Sequence, residues 1–132
     1  MTLPETVKMY IDEGVSDSQY YKQLADMAPD QVSQQLLNEM SDSEMQHAKE
    51  FGAIYQGMTG EAYTPRVSSS LQRRPYREAL RDKALSEGYR YRRYMSNYNR
   101  GLGDALLLGS LFGAAVDKNL NSIALLYLLS RL

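Results

Sequence analysis

Apolar residues recur at steps of three and four in four separate stretches of this 132-residue chain, and proline, glycine or a capping residue separates each stretch from the next. In the first, Thr2 and Glu5 have capping-box spacing and Pro4 stands where a first turn tolerates it, which predicts a helix over residues 4–27. Its stripe reads Met9, Glu13, Tyr20, Leu24 and Met27, and Ala28-Pro29-Asp30 breaks it. A second helix over 30–57 carries Val32, Leu36, Met40, Glu44, His47, Phe51, Ile54 and Met58, with Gly57 and Gly60 at its end. A third over 75–99 carries Tyr76, Leu80, Ala84, Glu87, Tyr91, Tyr94 and Tyr98 until Gly101 and Gly103 stop it. A fourth over 104–131, capped by Asp104, carries Leu107, Leu111, Ala114, Lys118, Asn121, Leu125, Leu128 and Leu132.

Residues 59–72, with Pro65 and the run Ser68-Ser69-Ser70, read as an irregular crossover long enough to travel the length of a bundle. Short links within each pair of helices and a long link between the pairs predict an all-α four-helix bundle of two helix hairpins. At 132 residues and 43% apolar composition the chain fits one domain spanning 1–132.

Shifting the chain by 74 residues superimposes Glu13-Gly14 on Glu87-Gly88 and Tyr20 on Tyr94, and aligns the apolar stripes of the second and fourth helices. This is the pattern of an internal duplication. Under the same shift Glu44 falls on Lys118 and His47 on Asn121. Each helix also interrupts an apolar stripe with polar groups near its midpoint, where a carboxylate is costly to bury unless it is paired or metal-bound. In a bundle those midpoints meet at one level. Three carboxylates, an imidazole, an ammonium and an amide are therefore expected to converge there.

A Glu followed by Tyr seven residues later, then Glu-x-x-His on the next helix, resembles the first half-site of the rubrerythrin branch of the ferritin-like superfamily. The stretch Asp12 to Tyr55, with Tyr20-Tyr21, Ala28-Pro29 and Glu44-Met45-Gln46-His47, is similar to small rubrerythrin-like proteins without a rubredoxin domain. The resemblance implies a ferritin-like fold in which two hairpins bring four Glu and two His around two irons, for peroxide reduction or iron oxidation. It implies metal-ligand positions at Glu13, Glu44, His47 and Glu87, with Tyr20 and Tyr94 beside them. Lys118 stands where the family has a bridging Glu, and Asn121 where it has the second His, so the second half-site is degenerate. With no cysteine in the chain, rubredoxin-type electron entry is lost as well.

Charge limits what such a site could hold. Three carboxylates and one ammonium leave −2, which one divalent cation would balance, while a second would sit near the ammonium at a cost of several kcal/mol at ~4 Å. Two arrangements satisfy the count. In one, a single iron or other divalent ion sits on Glu13, Glu44 and His47, with Glu87 or water. In the other no metal is bound, Lys118 pairs with Glu44 and Glu87, and protonated His47 pairs with Glu13. The functional expectation is a ferritin-like protein binding at most one metal ion. An active di-iron oxidase or peroxidase completed between subunits, and an interaction module using a basic or apolar helix surface, are the alternatives.

Residues 1–60 hold ten Asp/Glu against three Lys, and residues 61–132 hold twelve Lys/Arg against six Asp/Glu, so the halves carry −7 and +6. Such complementarity favours one half lying against the other, or against a second copy, over a nucleic-acid surface. The fourth helix has Leu106, Leu108, Phe112, Leu126 and Leu129 off its core stripe and wants burial on two sides, which predicts a homodimer packed through it. A crossover folded over that face is the alternative. The apolar run from Ala105 to Val116 falls well short of the ~20 residues of a membrane helix, and Met1-Thr2-Leu3-Pro4-Glu5 lacks the features of a signal peptide. No membrane partner and a cytoplasmic location are the corresponding expectations.

Overall fold

The computed structural model describes residues 1–68 and 74–132, and among them it contains four α-helices and no strand. They are α1 (Leu3–Met27), α2 (Gln31–Thr59), α3 (Tyr76–Asn99) and α4 (Ala105–Ser130), packed as a four-helix bundle. The caps are those written in the chain. Thr2 Oγ1 accepts from Glu5 N and Glu5 Oε2 accepts from Thr2 N, a reciprocal box worth about 1 kcal/mol. Asp30 and Asp104 accept from Ser33 N and Leu107 N to open α2 and α4. Gly60 ends α2 at φ +77°, and Gly101 and Gly103 adopt positive φ in the link before α4. Of the expected crossover, residues 69–72 lie outside the described residues.

Packing is closest between α1 and α2 and between α3 and α4, while α2 also meets α4 and α1 meets α3. Gly14 shows why α1 and α2 come so near. A Cβ there would lie 3.0 Å from Ala48 Cβ and 3.2 Å from the Glu44 carbonyl oxygen. This contact fixes which face of α1 turns inward, and it corrects the expected stripe. Val7, Tyr10, Gly14, Asp17, Tyr21 and Leu24 are buried, whereas Glu13 is turned toward α3 and Met27 is exposed. In α2 the expected positions Met40, Glu44, Phe51 and Ile54 are buried, but Val32 and Met58 are exposed and His47 sits at the flank. The α4 stripe is buried as expected except for Leu132.

The described part of the crossover lies along α1. Tyr63 Oη donates to Asp12, Arg66 N donates to Asp12 Oδ1 at 2.7 Å, and Ser68 N donates to Ser16 Oγ at 3.1 Å. Asp12 and Ser16 are one turn apart and fasten this strand of chain to the helix. The apolar core is divided in two. Tyr21, Leu24, Leu37, Leu80 and Leu125 anchor one cluster, and Tyr10, Phe51, Tyr94, Leu107 and Leu111 anchor the other. Between them lies a layer of charge.

Candidate functional site

The layer is built from one short stretch of each helix. Asp17 of α1, Glu44 of α2, Lys83 and Glu87 of α3, and Lys118 and Asn121 of α4 are all buried. Lys118 occupies the centre. Its Nζ lies 2.8 Å from Asp17 Oδ2, 2.9 Å from Glu44 Oε2 and 3.5 Å from Glu87 Oε1. An ammonium has three protons to give, and three carboxylates from three other helices surround it. Asn121 Nδ2 donates to Glu44 Oε1 at 2.9 Å and to Glu87 Oε2 at 3.1 Å, closing the same ring from the next turn of α4.

A second tier completes the balance. Lys83 Nζ lies 2.5 Å from Asp17 Oδ1 and 3.7 Å from Glu87 Oε1, and Arg90 Nη1 reaches Asp17 Oδ2. Asp17, Glu44 and Glu87 are thus matched by Lys83, Arg90 and Lys118. Matched charges are what permits this layer to be buried, since an uncompensated buried ion costs several kcal/mol. Burial alone would push the Lys118 ammonium down, but Glu87, Glu44 and Asp17 together hold it well above the ordinary lysine value. Burial would likewise raise Asp17, yet Lys118, Lys83 and Arg90 keep its carboxyl far below the usual range. For Glu44 burial dominates, with Lys118 opposing it, and the carboxyl is raised. Tyr21 and Tyr94 are fully buried beside the layer, and burial pushes both phenols well up. Among the described residues, the Tyr21 hydroxyl and Glu87 Oε1 have no hydrogen-bond partner.

Of the residues singled out from sequence, Glu44, Glu87, Lys118 and Asn121 meet, and Glu13 and His47 do not join them. Glu13 binds the Arg93 guanidinium and lies 3.3 Å from Arg90 Nε at the α1–α3 edge, with Tyr94 Oη 3.5 Å away. His47 turns to α4, where its Nε2 is 2.5 Å from Asp117 Oδ2, an oxygen that also accepts from Ser43 Oγ at 3.1 Å. The expected Glu13–His47 pairing is replaced by these two separate pairs, because each residue has a nearer opposite charge or hydrogen-bond partner at the bundle's flank. Tyr20 Oη donates to the Ala79 carbonyl, tying α1 to α3, and the Tyr94 ring lies 5.8 Å from Lys118 Nζ.

The inner carboxylate of α1 is Asp17, which the sequence reading passed over. Its signal was present: it falls one turn after Glu13, and on the face that Gly14 turns inward. Lys83 and Arg90 bracket Glu87 at four residues before and three after, on the same face of α3. These residues do not suit a metal ion. Both oxygens of Asp17 and both of Glu44 already accept from the cations or the amide, and a divalent ion would bring two uncompensated positive charges into a balanced layer. Among the described residues no three His, Cys, Asp or Glu side chains are grouped to hold one. No described helix is long and apolar enough to cross a membrane. The chain matches no family model, no curated protein and no solved structure.

Proposed function

We propose that the chain is a ferritin-like bundle of the rubrerythrin type in which a lysine-centred ion cluster stands in place of the di-metal centre. On this reading the protein is a structural or interaction module without di-iron redox chemistry. The observation that carries it is the seat of Lys118: an ammonium enclosed by Asp17, Glu44 and Glu87 at the level where the resemblance implies a bridging carboxylate between two metals. A lysine there supplies one positive charge without a metal, and ties α4 to α1, α2 and α3 at once.

Two features support duplication followed by divergence. Glu44 and Lys118 are 74 positions apart and touch, and Ser43 and Asp117 are also 74 apart and touch. Residues made equivalent by a two-fold relation can meet only at its axis, so these contacts suit two related halves packed face to face. Glu13 and His47, the remaining ligand positions of the first half, are each engaged by a partner outside the cluster.

The test is metal content. Protein loaded anaerobically with Fe(II), exposed to oxidant and desalted is expected to retain far less than one ion per chain. One or two tightly held irons per chain would overturn the reading. The change Lys118→Glu with Asn121→His takes the cluster from neutral to −2 and supplies an imidazole, and this variant is expected to gain a divalent ion that the parent lacks. No gain would count against the ancestral relation.

A further inference from the structure

We infer that the outer face of α4 is the interface of a two-fold symmetric dimer in which the two α4 helices run parallel. Between Ala105 and Ser130 the only charged residues are Asp117 and Lys118. Lys118 is buried and Asp117 is paired with His47 on α2. The outward side therefore carries no charge along 26 residues, or ~39 Å of helix.

What it carries instead is a second seam. Leu106, Gly109, Gly113, Val116, Leu120, Ile123 and Tyr127 follow one another at alternating steps of three and four, the spacing of a helix that packs against another helix. The inward seam, from Leu107 to Leu128, has the same spacing, so α4 is built to be buried twice. Large outward side chains, Phe112 and Leu126 included, are between 39% and 67% exposed. With about 150–250 Å² for each aromatic side chain and somewhat less for each aliphatic one, they offer roughly 700 Å² of apolar surface. That is close to the ~800 Å² per partner of a standard stable interface, and larger than the patches most monomers leave bare. A Cβ at Gly109 or Gly113 would meet nothing within 4 Å, so a second backbone can approach closely there.

The described residues flanking the undescribed part of the crossover, Ser68 at Ser16 and Arg74 at Asp82, lie on the α1–α3 side, while α4 packs on α2 and α3. Charge selects a second copy and its orientation. On the α2 side the face is bordered by Glu50, which lines a groove with Leu106 and Gly109, and by Glu39 on the same stripe of α2. On the α3 side, the stripe through Ala84 and Gly88, which meet Ser122, carries Arg77, Arg81 and Arg92. A two-fold axis along α4 sets the α2 edge of one copy opposite the α3 edge of the other, acid against base. A two-fold across α4 would set acid against acid and base against base.

The chain has no cysteine, so one introduced thiol can pair only with its counterpart in another copy. The experiment combines light scattering of the parent at ~10 μM with oxidation of Gly109→Cys, Val116→Cys and Ile123→Cys, each alone. A particle of twice the 15.0 kDa chain mass and disulfide-linked dimers from all three variants are expected. The pair Leu120→Asp with Ile123→Asp should halve the mass while circular dichroism stays helical. A monomeric parent overturns the inference. Cross-linking at only one of the three positions overturns the parallel orientation, because an antiparallel pair brings equivalent residues together only at its crossing point.

Discussion

Lys118→Met removes the ammonium at the centre of the bundle and keeps an unbranched side chain of similar length. Three carboxylates then face two cations, and Glu44 Oε2 loses the ammonium 2.9 Å away, with its side chain 1% exposed. Breaking a buried ion pair by deleting one member costs about 3–5 kcal/mol, because the remaining charge is left desolvated. A domain of this size has about 5–15 kcal/mol in total, so the loss is a large fraction of it. In urea, with a slope of about 1–3 kcal/mol/M, the midpoint should fall by about 2 M. Circular dichroism across a urea titration reads this directly. Adding Glu44→Gln to Lys118→Met should cost less than Glu44→Gln costs in the parent, with a coupling of about 1–3 kcal/mol. A Lys118→Met loss below ~1 kcal/mol, or additive effects of the two changes, would refute the cluster as the element that holds the helices together.

Alkaline pH should unfold the protein by the same logic. Lys118 is raised above its ordinary 10.5, so its contribution is complete below that value and is lost as pH climbs from 10.5 toward the folded-state value. Tyr21 and Tyr94, raised above 10.0 by burial, act in the same direction. Melting temperatures should fall steeply above pH 10, and less steeply in Lys118→Met; a flat profile from pH 9 to 11 contradicts this. Gly14→Val forces a branched side chain against Ala48 and the Glu44 carbonyl and should cost at least ~1–3 kcal/mol in a denaturant titration, despite the better helix propensity of valine. An unchanged midpoint would mean that α1 and α2 are not so closely apposed. His47→Gln breaks a mostly buried hydrogen bond with Asp117 and should cost about 1–2 kcal/mol without changing metal content; a lost metal would place His47 in a site after all.

The helices were legible because their ends are chemically marked. Thr2-x-x-Glu5, Asp30, Gly60 and Asp104 each satisfy backbone groups that a helix terminus leaves open, and the observed bounds fall within about two residues of those expected. The polar mid-helix layer was legible for a similar reason, since Glu44, Glu87, Lys118 and Asn121 interrupt stripes that are otherwise apolar. The phase of α1 was not. Met9-Glu13-Tyr20-Leu24 and Tyr10-Gly14-Asp17-Tyr21-Leu24 are both acceptable helical stripes, offset by about one residue, and only the close approach at Gly14 selects the second. Once that face turns inward, Asp17 replaces Glu13 in the core, and Glu13 is left to the arginines of α3. His47 illustrates a different limit. Its position three residues after Glu44 places it near the core on a helical wheel, but the choice between Glu13 and Asp117 depends on how α2 meets α4, which no local pattern specifies.

On the proposed reading, an ammonium sits where a ferritin-like bundle would hold metal. Crystals grown from Fe(II)-loaded protein, with diffraction recorded at the iron edge, test it in one measurement. The account predicts Lys118 Nζ within hydrogen-bonding distance of Asp17 and Glu44, and no anomalous peak between the helices. An iron peak bound by Glu44 and Glu87, with the lysine displaced, would contradict it.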